Sequence, residues 1–250
     1  MAVTEVAATL REAGSRRQGL VRPAECRAGW GGLWATMIEF WNDRFAEPGF
    51  AYGREPNAFF AERLGTVDVG RLLLPAEGEG RNAVWAAARG WNVTAFDLSH
   101  VARDKALEFA DGAGVDIDYR LASLTDPWPE GPGVFDVVGM VFVHVPSTLR
   151  PLIHRAALLA CRPGGRVLLQ GFTPQQLETG RGGPKDVDML YSAVDLRGDF
   201  MGGEILHLEE RLVELTEGGQ AAEPDIRGKA APGKRLPEFP PQADSEKKPR

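Results

Sequence analysis

A short apolar run, a turn and a helix-like stretch recur several times between residues 71 and 172, and this recurrence constrains the fold most. Arg71-Leu72-Leu73-Leu74 stops at a glycine-rich turn, after which Gly80 to Arg89 is Ala-rich and helical. Trp91 to Phe96 is β-branched and aromatic and ends at Asp97. Ser99 is placed to cap a helix running through Ala110, which Gly112 would close. Val115 to Leu121 alternates as a strand does, and Phe135 to Val143 is apolar enough to be buried on both faces. Pro146 to Cys161 reads as a helix, and Pro163-Gly164-Gly165 leads into a further strand from Arg166 to Phe172.

Strands alternating with helices call for an α/β fold. We expect a doubly wound, Rossmann-like, mostly parallel sheet in a single domain, with its ligand beyond the C-terminal ends of the strands. The ends of the chain look different. Residues 1–36 carry five Arg, no Lys and three Glu with little periodicity, and read as an N-terminal extension, disordered or an artefact of the gene model. The domain is expected over 37–215. Residues 216–250, rich in proline and mixed charge, read as a disordered tail.

Composition excludes several functions. Lys+Arg total 29 against 35 Asp+Glu, a net charge of −6, so neither a nucleic-acid backbone nor an anionic membrane is attracted in general. The two cysteines, Cys26 and Cys161, lie far apart and have no histidine at ligand spacing, so no metal site or disulfide framework is expected. No apolar run approaches the ~18 residues of a membrane span. Cytoplasm is the expected compartment.

The first turn reads Ala76-Glu77-Gly78-Glu79-Gly80-Arg81-Asn82. Its glycines let a ligand approach the backbone where a helix opens. Glu77 and Glu79 place like charge where a phosphate would sit, which favours a cationic or zwitterionic ligand. Asp97 ends the second strand seventeen residues after Gly80, where an acid can accept hydrogen bonds from both hydroxyls of a ribose. It could equally cap the following helix. Of the histidines, His144 at the end of the fourth strand is the candidate general base, against the simpler reading of a half-buried structural residue. His100, His154 and His207 read as surface or packing positions.

Taken together, the glycine turn, Asp97, Phe135-Asp136-Val137-Val138, Phe142-Val143-His144-Val145-Pro146 and Arg162-Pro163-Gly164-Gly165 resemble class I S-adenosylmethionine-dependent methyltransferases. The entry Phe40-Trp41-Asn42-Asp43-Arg44-Phe45, with Gly53-Arg54-Glu55-Pro56-Asn57, Gly80-Arg81-Asn82-Ala83 and Gly171-Phe172-Thr173, is similar to their thiopurine and tellurite-resistance branch. The resemblance implies S-adenosyl-L-methionine as cofactor and methyl transfer to a small molecule at sulfur, selenium or a metalloid such as tellurite. It implies that Ala76, Glu77, Gly78 and Gly80 line the methionine end, and that Asp97 and Leu98 hold ribose and adenine. Ser123 and Leu124 would flank the adenine, Phe142 would wall the transfer site, and Trp41 would lie over the cofactor or pack on the core.

Three departures stand out. The acid usual at the end of the first strand is Leu74, the usual adenine-gripping Asp is Ala122, and no β-rich run follows residues 204–215 to act as strand seven. They motivate a second reading, a non-catalytic cofactor-binding or scaffold protein. An NAD-dependent oxidoreductase is a third, opposed by the acids in the loop and the little chain left for a substrate domain. The expected assembly is a monomer or weak dimer, with no nucleic-acid or membrane partner.

Overall fold

The computed structural model describes residues 1–10, 31–179 and 182–213. In chain order these form β1 (Ala2–Leu10), α1 (Gly31–Ala46), α2 (Ala58–Leu64), β2 (Arg71–Pro75), α3 (Arg81–Ala87), β3 (Asn92–Asp97), α4 (His100–Ala113) and β4 (Asp118–Leu121). They continue as β5 (Phe135–Val141), α5 (Arg150–Ala160), β6 (Cys161–Phe172), α6 (Ala193–Asp199) and β7 (Gly203–Leu212). The seven strands make one sheet in the order β4-β3-β2-β5-β6-β1-β7. β4, β3, β2, β5 and β6 run parallel, and β1 is antiparallel to both β6 and β7. The expected α/β, doubly wound sheet is therefore present.

Burial on both faces explains why the parallel strands are continuous apolar runs. Leu72, Leu73 and Leu74 are all fully buried; Leu73 points into the layer under α5 and α6, its two neighbours into the layer under α2, α3 and α4. The chain order reverses between β2 and β5, so the loops after β2, β3 and β5 share the crevice where such sheets hold ligands.

The N-terminal expectation is corrected. Ala2–Leu10 is not a disordered extension but a strand inserted between β6 and β7, pairing Val6 with Leu169 and, across the other edge, with Leu208. It fills the antiparallel position that the sequence seemed to leave empty, so strand seven is not missing. Val3, Thr4, Glu5, Val6 and Ala8 are all buried, because a central strand is covered on both faces and shows no polar-apolar alternation. The folded part also reaches back beyond residue 37, since α1 begins at Gly31. The remainder of the predicted extension (11–30) and the tail from 214 lie outside the described residues. Smaller corrections concern α4, which Gly114 closes at φ 67 in place of Gly112, and β4, which starts three residues late.

Candidate functional site

The loop after β2 is shaped by left-handed backbone. Ala76, Gly78 and Gly80 have φ of 49°, 68° and 83°. A side chain at Gly80 would meet the Cβ of Ala106 at 2.7 Å, and one at Gly78 would press on the ring of Phe45 at 3.3 Å. Glycine at these two positions lets α4 and α1 close directly on the loop. Ala76 adopts the same region despite its Cβ, a strained conformation of the kind that clusters at binding sites.

The two loop acids have different partners. Glu77 turns its carboxylate onto the start of α3, accepting from the backbone N–H of Asn82 (2.8 Å) and Ala83 (2.9 Å) and from Asn82 Nδ2 (3.2 Å). Burial pushes its carboxyl up to about 7 against these bonds. Glu79 instead faces outward from the loop, accepting from the Ala51 amide and bridging to Lys105 Nζ at 2.9 Å. The anion-binding amides of α3 are thus already occupied by a carboxylate of the chain itself, which leaves no helix-end cradle for a phosphate.

Asp97 stands at the end of β3 with Oδ2 accepting from Gly78 N (3.0 Å) and Oδ1 from Ser99 N (2.9 Å). Burial raises its carboxyl to about 6. The Leu98 backbone N–H also bonds this carboxylate, so of its about four acceptor positions one stays open, and the side chain ties the loop in place and can still accept from a hydroxyl. Half-buried Leu98 follows it, and Ser99 both caps α4 and donates to Asn42 Oδ1 of α1 at 2.7 Å. Tyr119 of β4 donates to Gly78 O at 2.6 Å. Trp41 reaches the loop through Phe45, on which it stacks at 5.4 Å.

Ser123 is engaged in its own turn, its amide donating to Asp126 Oδ2 and its hydroxyl paired with Thr125. Leu124 is buried in the core beside Trp128. On the far side, Phe142 holds φ 54 and stacks on Phe172 at 4.6 Å. His144 is nearby, but the structure removes it as a general base. Its Nδ1 donates to Met189 O at 2.7 Å, its Nε2 accepts from Phe172 N at 3.2 Å, and burial holds its pKa down at about 4. Tyr191 fixes this loop, donating to Val143 O and accepting from Val145 N.

Ala76, Glu77, Gly78, Gly80 and Asp97 are therefore brought together, with Trp41 one ring removed. Tyr119, Asn42 and Tyr191 were not anticipated as site residues, because each acts through a contact between segments far apart in sequence, whereas Asn82 acts on Glu77 within the turn itself. Among the described residues, Glu5, His207 and Glu209 alone are spaced for a metal, but Arg211 is bonded to Glu5 and Arg63 lies 3.3 Å from the His207 ring. The two guanidiniums already supply the cationic charge.

Residues 74–165 match the family described as methyltransferase domain. A curated relative, the ubiquinone biosynthesis O-methyltransferase of Xanthomonas euvesicatoria pv. vesicatoria (strain 85-10), is 37% identical over 105 residues, 40% of this chain and 41% of that protein. The chain thus aligns with about two fifths of that relative. Solved structures share the fold. One, of the conversion of a disulfide bond into a thioacetal group during echinomycin biosynthesis, superposes with a TM-score of 0.53 at 22% identity, over 66% of this chain and 77% of the other. The DhpI–SAH complex superposes with a TM-score of 0.51 at 21% identity, over 68% and 87% respectively.

Proposed function

We propose that this chain is an S-adenosyl-L-methionine-dependent methyltransferase acting on a small molecule. The observation that carries the reading is the pairing of Glu77, which blocks the phosphate position at α3, with Asp97, which keeps acceptor capacity one strand away. A dinucleotide needs the first and a nucleoside needs only the second. Strained Ala76 and close-packed Gly78 and Gly80 would line the methionine end of the cofactor, Asp97 and Leu98 its ribose and adenine, and Ser123 and Leu124 the other side of the base. The methyltransferase-domain match over residues 74–165 supports the same cofactor.

When bound, S-adenosylmethionine supplies a sulfonium methyl that an acceptor lone pair takes by displacement. What the protein adds is position and dryness. Phe142, Phe172 and the α1 aromatics Trp41 and Phe45 present apolar surface around the crevice. His144 holds its one proton on Met189 O and has no free nitrogen to take another. An acceptor that is already a nucleophile at neutral pH suits such a site, which favours a thiolate, a selenolate or a metalloid oxyanion such as tellurite. This agrees with the thiopurine and tellurite-resistance likeness. A hydroxyl acceptor, as in the relative's name, is the second reading and would require a base other than His144.

Calorimetric titration with S-adenosylhomocysteine, with NADH as comparison, tests the cofactor. Micromolar binding of the homocysteine compound alone is expected; binding of NADH alone would replace the reading with an oxidoreductase. A methyl-transfer screen over thiols, selenite, tellurite and catechols then separates the two acceptor readings. Binding without turnover on any of them would favour the scaffold reading.

A further inference from the structure

A single line of buried polar side chains connects the N-terminal strand to the cofactor loop. Glu5 Oε1 on β1 accepts from Arg211 Nε and Nη2 and from Gln170 Nε2 on β6 at 2.8 Å. Gln170 Oε1 accepts from Asn57 Nδ2 at 2.6 Å, and Asn57 Oδ1 caps α2 by accepting from Phe60 N at 2.9 Å. The backbone N–H of Asn57 donates to Asn82 Oδ1 at 2.9 Å, which turns Asn82 Nδ2 toward Glu77. Glu5, Asn57, Asn82 and Gln170 are each no more than 3% exposed.

As far as the Asn57 side chain, each bond fixes the direction of the next. Beyond it the Asn57 backbone N–H donates to Asn82 whichever way that side chain lies, so what is passed on is position. The Glu5 carboxylate can only accept, so Gln170 must present its NH2 there and its oxygen to Asn57. Asn57 then has only Oδ1 left for the helix cap. Its backbone amide takes Asn82 Oδ1, leaving Asn82 Nδ2 for Glu77. Gln170 and Asn82, each held by a donor at its oxygen and an acceptor at its nitrogen, have one favoured orientation rather than two.

We propose that Gln170 and Asn57 are positioning residues of the cofactor loop, and that Glu5 on the N-terminal strand sets the orientation of Gln170, which holds Asn57 and its backbone N–H in place against Asn82. The line reaches residues 76–80 through Asn82 and Glu77. The proposal rests on the reading of residues 76–80 as the S-adenosylmethionine loop, and it extends control of that loop to the antiparallel part of the sheet, three strands from β2.

Relocating the charge tests it. In Asn57→Asp, carboxylates at both ends face Gln170, whose oxygen must oppose one of them. In the double variant Asn57→Asp with Glu5→Gln, Gln170 can flip and its own two side-chain bonds can re-form with reversed direction. The backbone donors Phe60 N and Asn57 N keep theirs, and Arg211, which can only donate, must turn to the remaining amide oxygen at position 5. The readouts on the full chain are amide hydrogen exchange at Asn82 and Ala83 without ligand, and affinity for S-adenosylhomocysteine. Asn57→Asp is expected to speed that exchange and weaken that affinity by about tenfold, roughly the worth of one hydrogen bond. The double variant should bring both back toward wild type. Exchange and affinity unchanged in the single variant, or losses that simply add in the double, would overturn the proposal. A purely structural role predicts additive losses in melting temperature with no reversal. Gln170→Met, nearly the same size but without a polar amide, gives the same expected loss should Asn57→Asp fail to fold. If the wild type does not bind S-adenosylhomocysteine, the cofactor reading fails, and the ligand-free exchange data alone decide the positioning line.

Discussion

Glu77 and Asp97 show how the carboxyl group is put to two uses around one loop. Glu77 is spent on the α3 amides, whereas Asp97 closes on Gly78 and Ser99 and keeps acceptor capacity. Replacing Asp97 by Ala should therefore weaken S-adenosylhomocysteine binding by roughly 1–3 kcal/mol in calorimetry, through the lost hydrogen bonds and the loosened loop. Unchanged affinity would remove Asp97 from the site. Glu77 predicts a pH effect. Its carboxyl titrates at about 7 in the folded protein against 4.5 ordinarily, so between these values the folded state holds a proton that the unfolded state has released. Stability of the ligand-free protein should accordingly fall as pH rises from about 4.5 to 7 and level off above. Glu77→Gln should flatten that slope, gaining roughly 1–3 kcal/mol relative to wild type at pH 8 and little at pH 4.5, measured by denaturant unfolding at both pH values. A variant that follows the wild-type slope would show that Glu77 is not the titrating group. The acids and glycines of this loop were legible in the sequence because they are contiguous. The neutral state of His144 was not, since both of its partners are backbone atoms, at Phe172 and Met189, brought there by the fold.

Among the elements, β1 was the least legible and has the largest consequence. Parallel strands such as Leu72–Leu74 announce themselves by unbroken apolar residues. Ala2–Leu10 has alanines, Thr4 and a buried Glu5 in the same role, and its partners are some 165 and 205 residues downstream. Local pattern carries none of that. The Glu5 carboxylate fixes the register instead, because a slip by one residue would move it off Gln170 and Arg211 into an apolar layer. Deleting residues 1–10 should strip the partner from β6 and β7 at once and lose Val3 and Val6, each worth about 1.5–3 kcal/mol of burial. The expected result is loss of the cooperative thermal transition followed by circular dichroism. An unaltered transition would mean that β1 contributes no stability to the sheet.

For the molecule as a whole, the parallel half of the sheet supplies the loops of the site, while β1 and β7 supply the edge. β7 has no strand partner on its outer side among the described residues and exposes Leu206 and Leu212, so a weak, concentration-dependent dimer is the assembly we propose. Cofactor binding should be felt across this whole sheet. A ligand that binds only the folded chain stabilises it by RT ln(1 + [L]/Kd), about 2.7 kcal/mol at a hundredfold excess over Kd. In a domain of this size each kcal/mol moves the melting temperature by about 2–4 °C, so saturating S-adenosylhomocysteine should raise it by about 5–10 °C. NADH at the same concentration should leave it in place, because the Glu77 carboxylate already fills the amides its pyrophosphate would need. A shift with NADH and none with S-adenosylhomocysteine would overturn the assignment of the crevice. Equal shifts with both would point to recognition of the adenosine that they share. The Asp97→Ala variant then separates ribose recognition from loop support: in the first case its own melting temperature stays near wild type while the ligand-induced rise shrinks, and in the second both fall together.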